Sequence, residues 1–352
     1  MTRSARGPTA TTIFFGRMPV QSRPSKLRSP MKKSMSTFSS LELCAGAGGQ
    51  ALGLERAGFD HAALIEIEPP ACATLRTNRP LWNVVEGDLR TFDATRYKGI
   101  DLVAGGVPCP PFSKAGRQLG ADDERNLFPD AVRVVDECRP QAVMLENVRG
   151  LLDAAFAEYR VDIETQLKKM GYASQWKLLN ASDYGVSQLR PRVVFVAIRN
   201  DLANYFSWPQ PCKVQPRTVG DLLHDQMSVN GWRGADRWRE QACAIAPTLV
   251  GGSKKHGGPD LGPTRAKAAW AALGVDGKGL WDDAPLKDFV GMPRLTTRMT
   301  ARIQGFPDDW QIVGRKTAAY RQIGNAFPPP VASAVALQIS AALAGKRIYK
   351  AA

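Results

Sequence analysis

Phe38-Ser39-Ser40-Leu41-Glu42-Leu43 runs without a break into Cys44-Ala45-Gly46-Ala47-Gly48-Gly49, and residues 50–57 then carry apolar side chains at helical spacing. An apolar run that feeds a glycine-rich turn and a helix opens a βαβ unit, with the turn and the helix N-terminus facing a ligand. Outward from this stretch, short apolar runs recur at 62–67, 83–86, 100–104, 141–145, 174–179 and 193–198. Between them, residues 71–78, 127–138 and 157–170 repeat apolar positions at intervals of three and four. The alternation predicts a doubly wound, Rossmann-like α/β sheet, whose ligands bind at the carboxyl ends of the strands. After Arg199 the rhythm gives way to a stretch rich in Gly, Pro and Trp, with Trp208, Trp232, Trp238, Trp270 and Trp281. Helical spacing returns at 297–304 and in a final helix over 331–343.

Charge divides the chain in the same places. The 352 residues include 47 Lys or Arg and 33 Asp or Glu, a net +14. Residues 1–36 hold eight basic side chains and no acid, which with their Ser, Pro and Thr content predicts a disordered tail. Residues 37–185 are net acidic and 186–352 net basic, so a polyanion suits the second half and a neutral or cationic ligand the first. The expected organisation is a tail (1–36), a cofactor-binding catalytic domain (37–200 with 317–352) and a smaller recognition domain (201–316). With 44% hydrophobic residues and no apolar run near the ~18 residues of a membrane span, a soluble, cytoplasmic protein with no membrane contact is expected. Six cysteines without a C-x-x-C pair argue against a disulfide scaffold or structural zinc; Cys72, Cys138, Cys212 and Cys243 read as buried thiols. His61, His224 and His256 offer no paired ligands, so no metal is expected.

Polar residues at the strand ends carry the chemistry. Gly46, Gly48 and Ala51 satisfy a dinucleotide fingerprint, Glu66 is placed to hold ribose hydroxyls, and Asp88 to accept from an adenine amine. A nicotinamide enzyme competes at this point. Further along, Cys109 stands between Pro108 and Pro110, held by fixed φ angles and presented at a strand end. Glu146-Asn147-Val148 ends the next run, and Gln188-Leu189-Arg190-Pro191-Arg192 opens the last. A thiolate adds to an electron-poor ring carbon, a carboxylic acid bonds a ring nitrogen, and an arginine holds a ring carbonyl. Cytosine satisfies all three.

These residues resemble the DNA (cytosine-5) methyltransferase family from about residue 38 to 343. Leu43 to Gly49 is similar to its S-adenosylmethionine loop, Pro108-Cys109 to its nucleophile block, Glu146-Asn147-Val148 to its ENV block, and Gln188 to Arg192 to its QxRxR block. Arg294-Leu295-Thr296 through Gln304-Gly305-Phe306-Pro307 and Gln322-Ile323-Gly324-Asn325 resemble its last two blocks. The resemblance implies S-adenosylmethionine as cofactor and a cytosine flipped out of double-stranded DNA. Cys109 would attack C6, Glu146 meet N3 and the exocyclic amine, and Arg192 contact O2, with Arg190 supporting the loop or phosphates. Leu43, Ala45, Gly46, Gly48, Glu66, Ile67, Asp88, Leu89, Pro108, Leu127 and Asn325 would bind the cofactor. Cys44 and Ile67 replace aromatics usual in the family, which implies an aliphatic adenine slot. Residues 105–120 would form a mobile loop over the base, and 201–316 would read the target, with Lys254, Lys255, Arg265 and Lys267 among contact candidates and with tryptophans, glycine turns and positive charge that suit the module to enter a groove. A monomer on DNA, paired with a restriction endonuclease, is the expected setting. Methylation of transfer RNA and a catalytically silent DNA-binding repressor are the competing readings.

Overall fold

The structure, a computed structural model, describes residues 38–108, 126–251 and 258–345, all within the compact unit Met35–Ala352. Its one seven-stranded sheet contains β1 (Phe38–Leu43), β2 (Phe59–Glu66), β3 (Val84–Glu86), β4 (Leu102–Gly105), β5 (Ala142–Val148), β6 (Tyr172–Asn180) and β7 (Pro191–Arg199). The order is β3-β2-β1-β4-β5-β7-β6. Every strand read from the sequence is present, with ends displaced by up to three residues. The first five run parallel, but β7 lies antiparallel between β5 and β6. This reversal was not part of the doubly wound expectation, and chain length explains it. Only residues 181–190 separate β6 from β7, whereas a parallel return needs a crossover of about a dozen residues or more.

Alternation along the strands fills both faces. Val143, Leu145 and Phe195 point toward α3 (Phe128–Cys138) and α4 (Ala157–Lys169). Ala142, Met144, Val194 and Val196 point toward α1 (Gly49–Arg56) and α10 (Pro329–Leu343). The α1–α10 crossing is close: a Cβ on Gly53 would lie 2.5 Å from the Ala332 methyl. The chain's last helix thus completes the layer begun by its first. At the edge, α2 (Pro69–Asn78) covers β2 and β3. Among the described residues one helical stretch, Lys316–Leu343, is long and apolar enough by composition to cross a membrane. It consists of two helices meeting near Pro328, and Ile323, Val331, Val335 and Ile339 are buried in the protein core.

The irregular part forms a core of its own, built on α5 (Val219–Met227), α6 (Ala235–Gln241), α7 (Thr264–Ala272), α8 (Thr297–Ile303) and α9 (Lys316–Asn325). Trp232, Trp238 and Trp270 are buried in it. Each contributes more by leaving water than most side chains can, so they consolidate a segment short of regular structure. The same core reaches Ala47 and Leu52 and includes Tyr320 and Ile323 of α9. Cys72 and Cys138 are buried as expected; Cys212 and Cys243 are exposed, because both sit in connections outside the packed elements.

Candidate active site

The carboxyl ends of β1, β2, β3, β4 and β5 open on one cavity of about 700 Å³. It lies where the strand order reverses beside β1, the place an open α/β sheet leaves a crevice. Gly46 has φ of 56° and Gly48 of 80°, so the loop after β1 turns through conformations that L side chains rarely adopt. Cys44 shares that region at φ 52°. Gly48 and Gly49 are required by the protein itself: added Cβ atoms would strike Leu75 and Trp310, or the Phe327 carbonyl. Of the loop residues assigned to the cofactor, Ala45 and Gly46 line the cavity; Leu43 and Gly48 are not among the described lining residues. Leu43 alternates into the sheet core instead, with none of its side chain exposed.

Glu66 is the best-supported residue of this half. Its Oε2 accepts the Gly46 N–H at 2.7 Å and its Oε1 the Glu68 N–H at 2.8 Å, which fixes the carboxyl at the cavity wall. Burial raises its pKa against those hydrogen bonds. Asp88 also lines the cavity, with its pKa lowered by hydrogen bonds from Arg90, whose guanidinium it holds at 2.7 Å. Ile67, 53% exposed, together with Leu89, Pro108 and Leu127 supplies aliphatic wall between these carboxylates. The Cys44 thiol joins them, and burial pushes its pKa up, so it presents a neutral surface. Two fixed acceptors for a vicinal diol, a carboxylate for an amine and aliphatic surface for a flat ring fit the nucleoside of S-adenosylmethionine.

The base side is built on β5. Glu146 sits where that strand pairs with β7, and its Oε1 meets Arg192 Nε at 2.8 Å, with 8% and 12% of the two side chains exposed. Burial raises the Glu146 pKa, while Arg192 and then Arg190 oppose it. Gly106 gives the carboxyl room, since a Cβ there would stand 3.3 Å from Oε2. Asn147 Nδ2 donates to the Val107 carbonyl at 2.8 Å, and the Leu127 N–H to the Pro108 carbonyl at 3.1 Å, so the chain entering Cys109 is held from both sides. Cys109, most of the 105–120 loop, Lys254, Lys255, His256 and the 1–36 tail lie outside the described residues. Arg265 is exposed, and Lys267 pairs with Asp260 at 2.7 Å.

Arg190 is placed differently from the expectation that it meets a loop or phosphate. It is fully buried, with Nη1 donating to the Leu249 carbonyl at 2.8 Å and Nη2 to the Gly324 and Ala326 carbonyls at 2.5 and 3.1 Å. Its Nη donors go to these backbone carbonyls and to Gln188 Oε1, while Nε has no hydrogen-bond partner among the described residues. Beside this joint Asn325 reaches the cavity from the end of α9, and Gly324 and Gly251 touch so closely that a Cβ on Gly324 would lie 2.3 Å from the Gly251 Cα. Sequence reasoning missed Glu42 and Gln50, which also line the cavity. Glu42 Oε2 and Gln50 Oε1 are buried without a hydrogen-bond partner among the described residues, and burial holds the Glu42 pKa well up. A lone acid between leucines, two residues before the glycine loop, was the available signal.

Comparison with known proteins agrees with this geometry. The model of the family described as C-5 cytosine-specific DNA methylase matches residues 38–271 and 277–341. Over 309 residues the chain is 63% identical to the type II methyltransferase M.NgoMIV of Neisseria gonorrhoeae, covering 87% of this chain and 98% of that protein. It is 56% identical over 316 residues to the type II methyltransferase M.NaeI of Lentzea aerocolonigenes, covering 88% and 76%. The fold also matches the crystal structure of a DNA modification methyltransferase from an E. coli prophage, with TM-score 0.63, 23% identity, and 88% and 100% coverage.

Proposed function

Since this chain belongs to the C-5 cytosine-specific DNA methylase family and is an S-adenosylmethionine-dependent DNA (cytosine-5-)-methyltransferase, we propose that Cys109, Glu146 and Arg192 act together on a cytosine turned out of a short duplex site. The ring carbons of a stacked base are out of reach, so the base must leave the helix. The Cys109 thiolate adds to C6 while Glu146 gives a hydrogen bond to N3 and Arg192 holds O2, which makes C5 nucleophilic. Bound S-adenosylmethionine supplies the electrophilic methyl group. Transfer of that methyl to C5 breaks its bond to sulfur and leaves S-adenosylhomocysteine; loss of the C5 proton to water as the Cys109–C6 bond breaks then restores the ring and frees the thiolate. The enzyme works as a monomer on DNA and, as a type II modification methyltransferase, protects its target site from a partner endonuclease. Residues 201–316 select the site.

The observation that carries this reading is the buried Glu146–Arg192 pair, whose carboxyl lines the cofactor cavity. Burial favours a protonated carboxyl there, and the neighbouring guanidinium keeps that proton exchangeable. The test is bisulfite sequencing of DNA from cells expressing the protein, with 5-fluorocytosine placed at the site it identifies. Fluorine blocks the elimination step, so wild type is trapped on the DNA and Cys109→Ser is not. Methylation without a trapped adduct would remove Cys109 from the nucleophile role.

A further inference from the structure

Five carboxyl side chains line the cofactor cavity: Glu42, Glu66, Glu68, Asp88 and Glu146. Among the described residues two guanidiniums stand against them, Arg90 and Arg321. This balance suits the sulfonium and α-ammonium of the cofactor. It leaves the α-carboxylate in need of a basic partner, and among the described lining residues only these two guanidiniums can supply one. Arg90 is committed to Asp88, whose two oxygens it meets at 2.7 to 3.0 Å. Arg321 is held loosely: its ion pair with Glu68 measures 3.7 Å, beyond hydrogen-bond length, and a quarter of its side chain is exposed.

Position supports the same assignment. Arg321 lies on α9 one helical turn before Asn325, so both side chains reach the cavity from one face. Glu68 follows the ribose-facing Glu66 and donates its N–H to it, which brings Arg321 beside the ribose subsite along the α9 wall. Asp88 and Leu89 line the wall after β3. We propose that Arg321 binds the α-carboxylate of S-adenosylmethionine, exchanging a long contact with Glu68 for charge-assisted hydrogen bonds to the ligand. This rests on the assignment of Glu66 to the ribose hydroxyls.

The test is calorimetric titration with S-adenosylhomocysteine and with its decarboxylated analogue, which differ only in the carboxylate. Wild type binds the first about tenfold or more tightly than the second, the scale of one charge-assisted hydrogen bond. Arg321→Met removes that preference by weakening S-adenosylhomocysteine alone, and Arg321→Lys restores part of it. Glu66→Gln weakens both ligands alike, because both carry the ribose. If Arg321→Met weakens both ligands equally or neither, while Glu66→Gln weakens both, Arg321 is not the carboxylate ligand. If Glu66→Gln spares both, the cofactor placement on which the proposal rests is wrong.

Discussion

Gln188 Nε2 donates to Gln304 Oε1 at 2.8 Å, joining side chains 116 residues apart in the sequence. Gln188 Oε1 accepts the Leu249 N–H at 2.9 Å, and Gln304 Nε2 reaches the Ala326 carbonyl that Arg190 also holds. The block that opens the last strand and the block around Gln304 therefore meet as a buried joint between the segment entering β7, the end of α8 and the end of α9. Both glutamines are fully buried, so an unpaired amide there carries its full desolvation cost. Gln304→Ala should lower unfolding stability by about 2 kcal/mol, read as a lower urea midpoint at unchanged m-value. An unchanged midpoint would show that the joint is not a stabilising element.

Arg192 is the leading influence that opposes the burial-raised pKa of Glu146. Arg192→Met should raise that pKa further, so the proton required at N3 is retained to higher pH and the alkaline limb of the kcat profile moves upward. At neutral pH kcat should still fall about 100-fold, because the base carbonyl loses its donor. A fall in rate with no movement of the limb would separate Arg192 from Glu146.

His61 Nε2 lies 3.0 Å from the Ala51 carbonyl and must donate to it, so Nδ1, 2.9 Å from Ser40 Oγ, accepts. Burial lowers its pKa from 6.5 to about 4. In the unfolded chain it takes a proton below pH 6.5, and in the native protein only near 4. Its contribution is therefore complete above 6.5 and is lost as pH falls toward 4, amounting to at most about 3 kcal/mol. Thermal melts of wild type should show Tm dropping through this window, and His61→Gln should flatten that slope. Parallel curves for the two proteins would assign the acid sensitivity elsewhere.

The sheet and the gathering of Glu66, Asp88 and Glu146 at one cavity were legible because each rests on a local pattern. Apolar runs mark the strands, and Glu66, Asp88 and Glu146 follow from their places at strand ends. Arg190 was not legible: a guanidinium two residues from Arg192 looks identical in sequence whether it meets a ligand or backbone carbonyls supplied by residues 249, 324 and 326. The same holds for Trp238 and Trp270, whose burial depends on helices brought together across the irregular segment. The antiparallel setting of β7 was implied by the short 181–190 connection, but apolar runs alone carry no strand direction.

Site choice should transfer with the irregular segment, and the structure indicates where the exchange should be cut. On the proposed mechanism the α/β part meets a base that is the same at every site and would have no means of reading neighbours. The irregular segment would supply the readout: a good bidentate base contact discriminates by roughly 1 to 3 kcal/mol, and its loss relaxes one position of the site. A cut at 316 would separate α9 from the core it shares with Trp270 and Met299 through Tyr320 and Ile323. A cut after Asn325 keeps that core together and brings the donor's partner for Gly251 along with Gly324. Chimeras carrying residues 201–325 from a family member with a different target should therefore fold better than those carrying 201–316. Mapping methylated sites should show the donor's sequence. An active chimera that still methylates the original site would place recognition outside this segment.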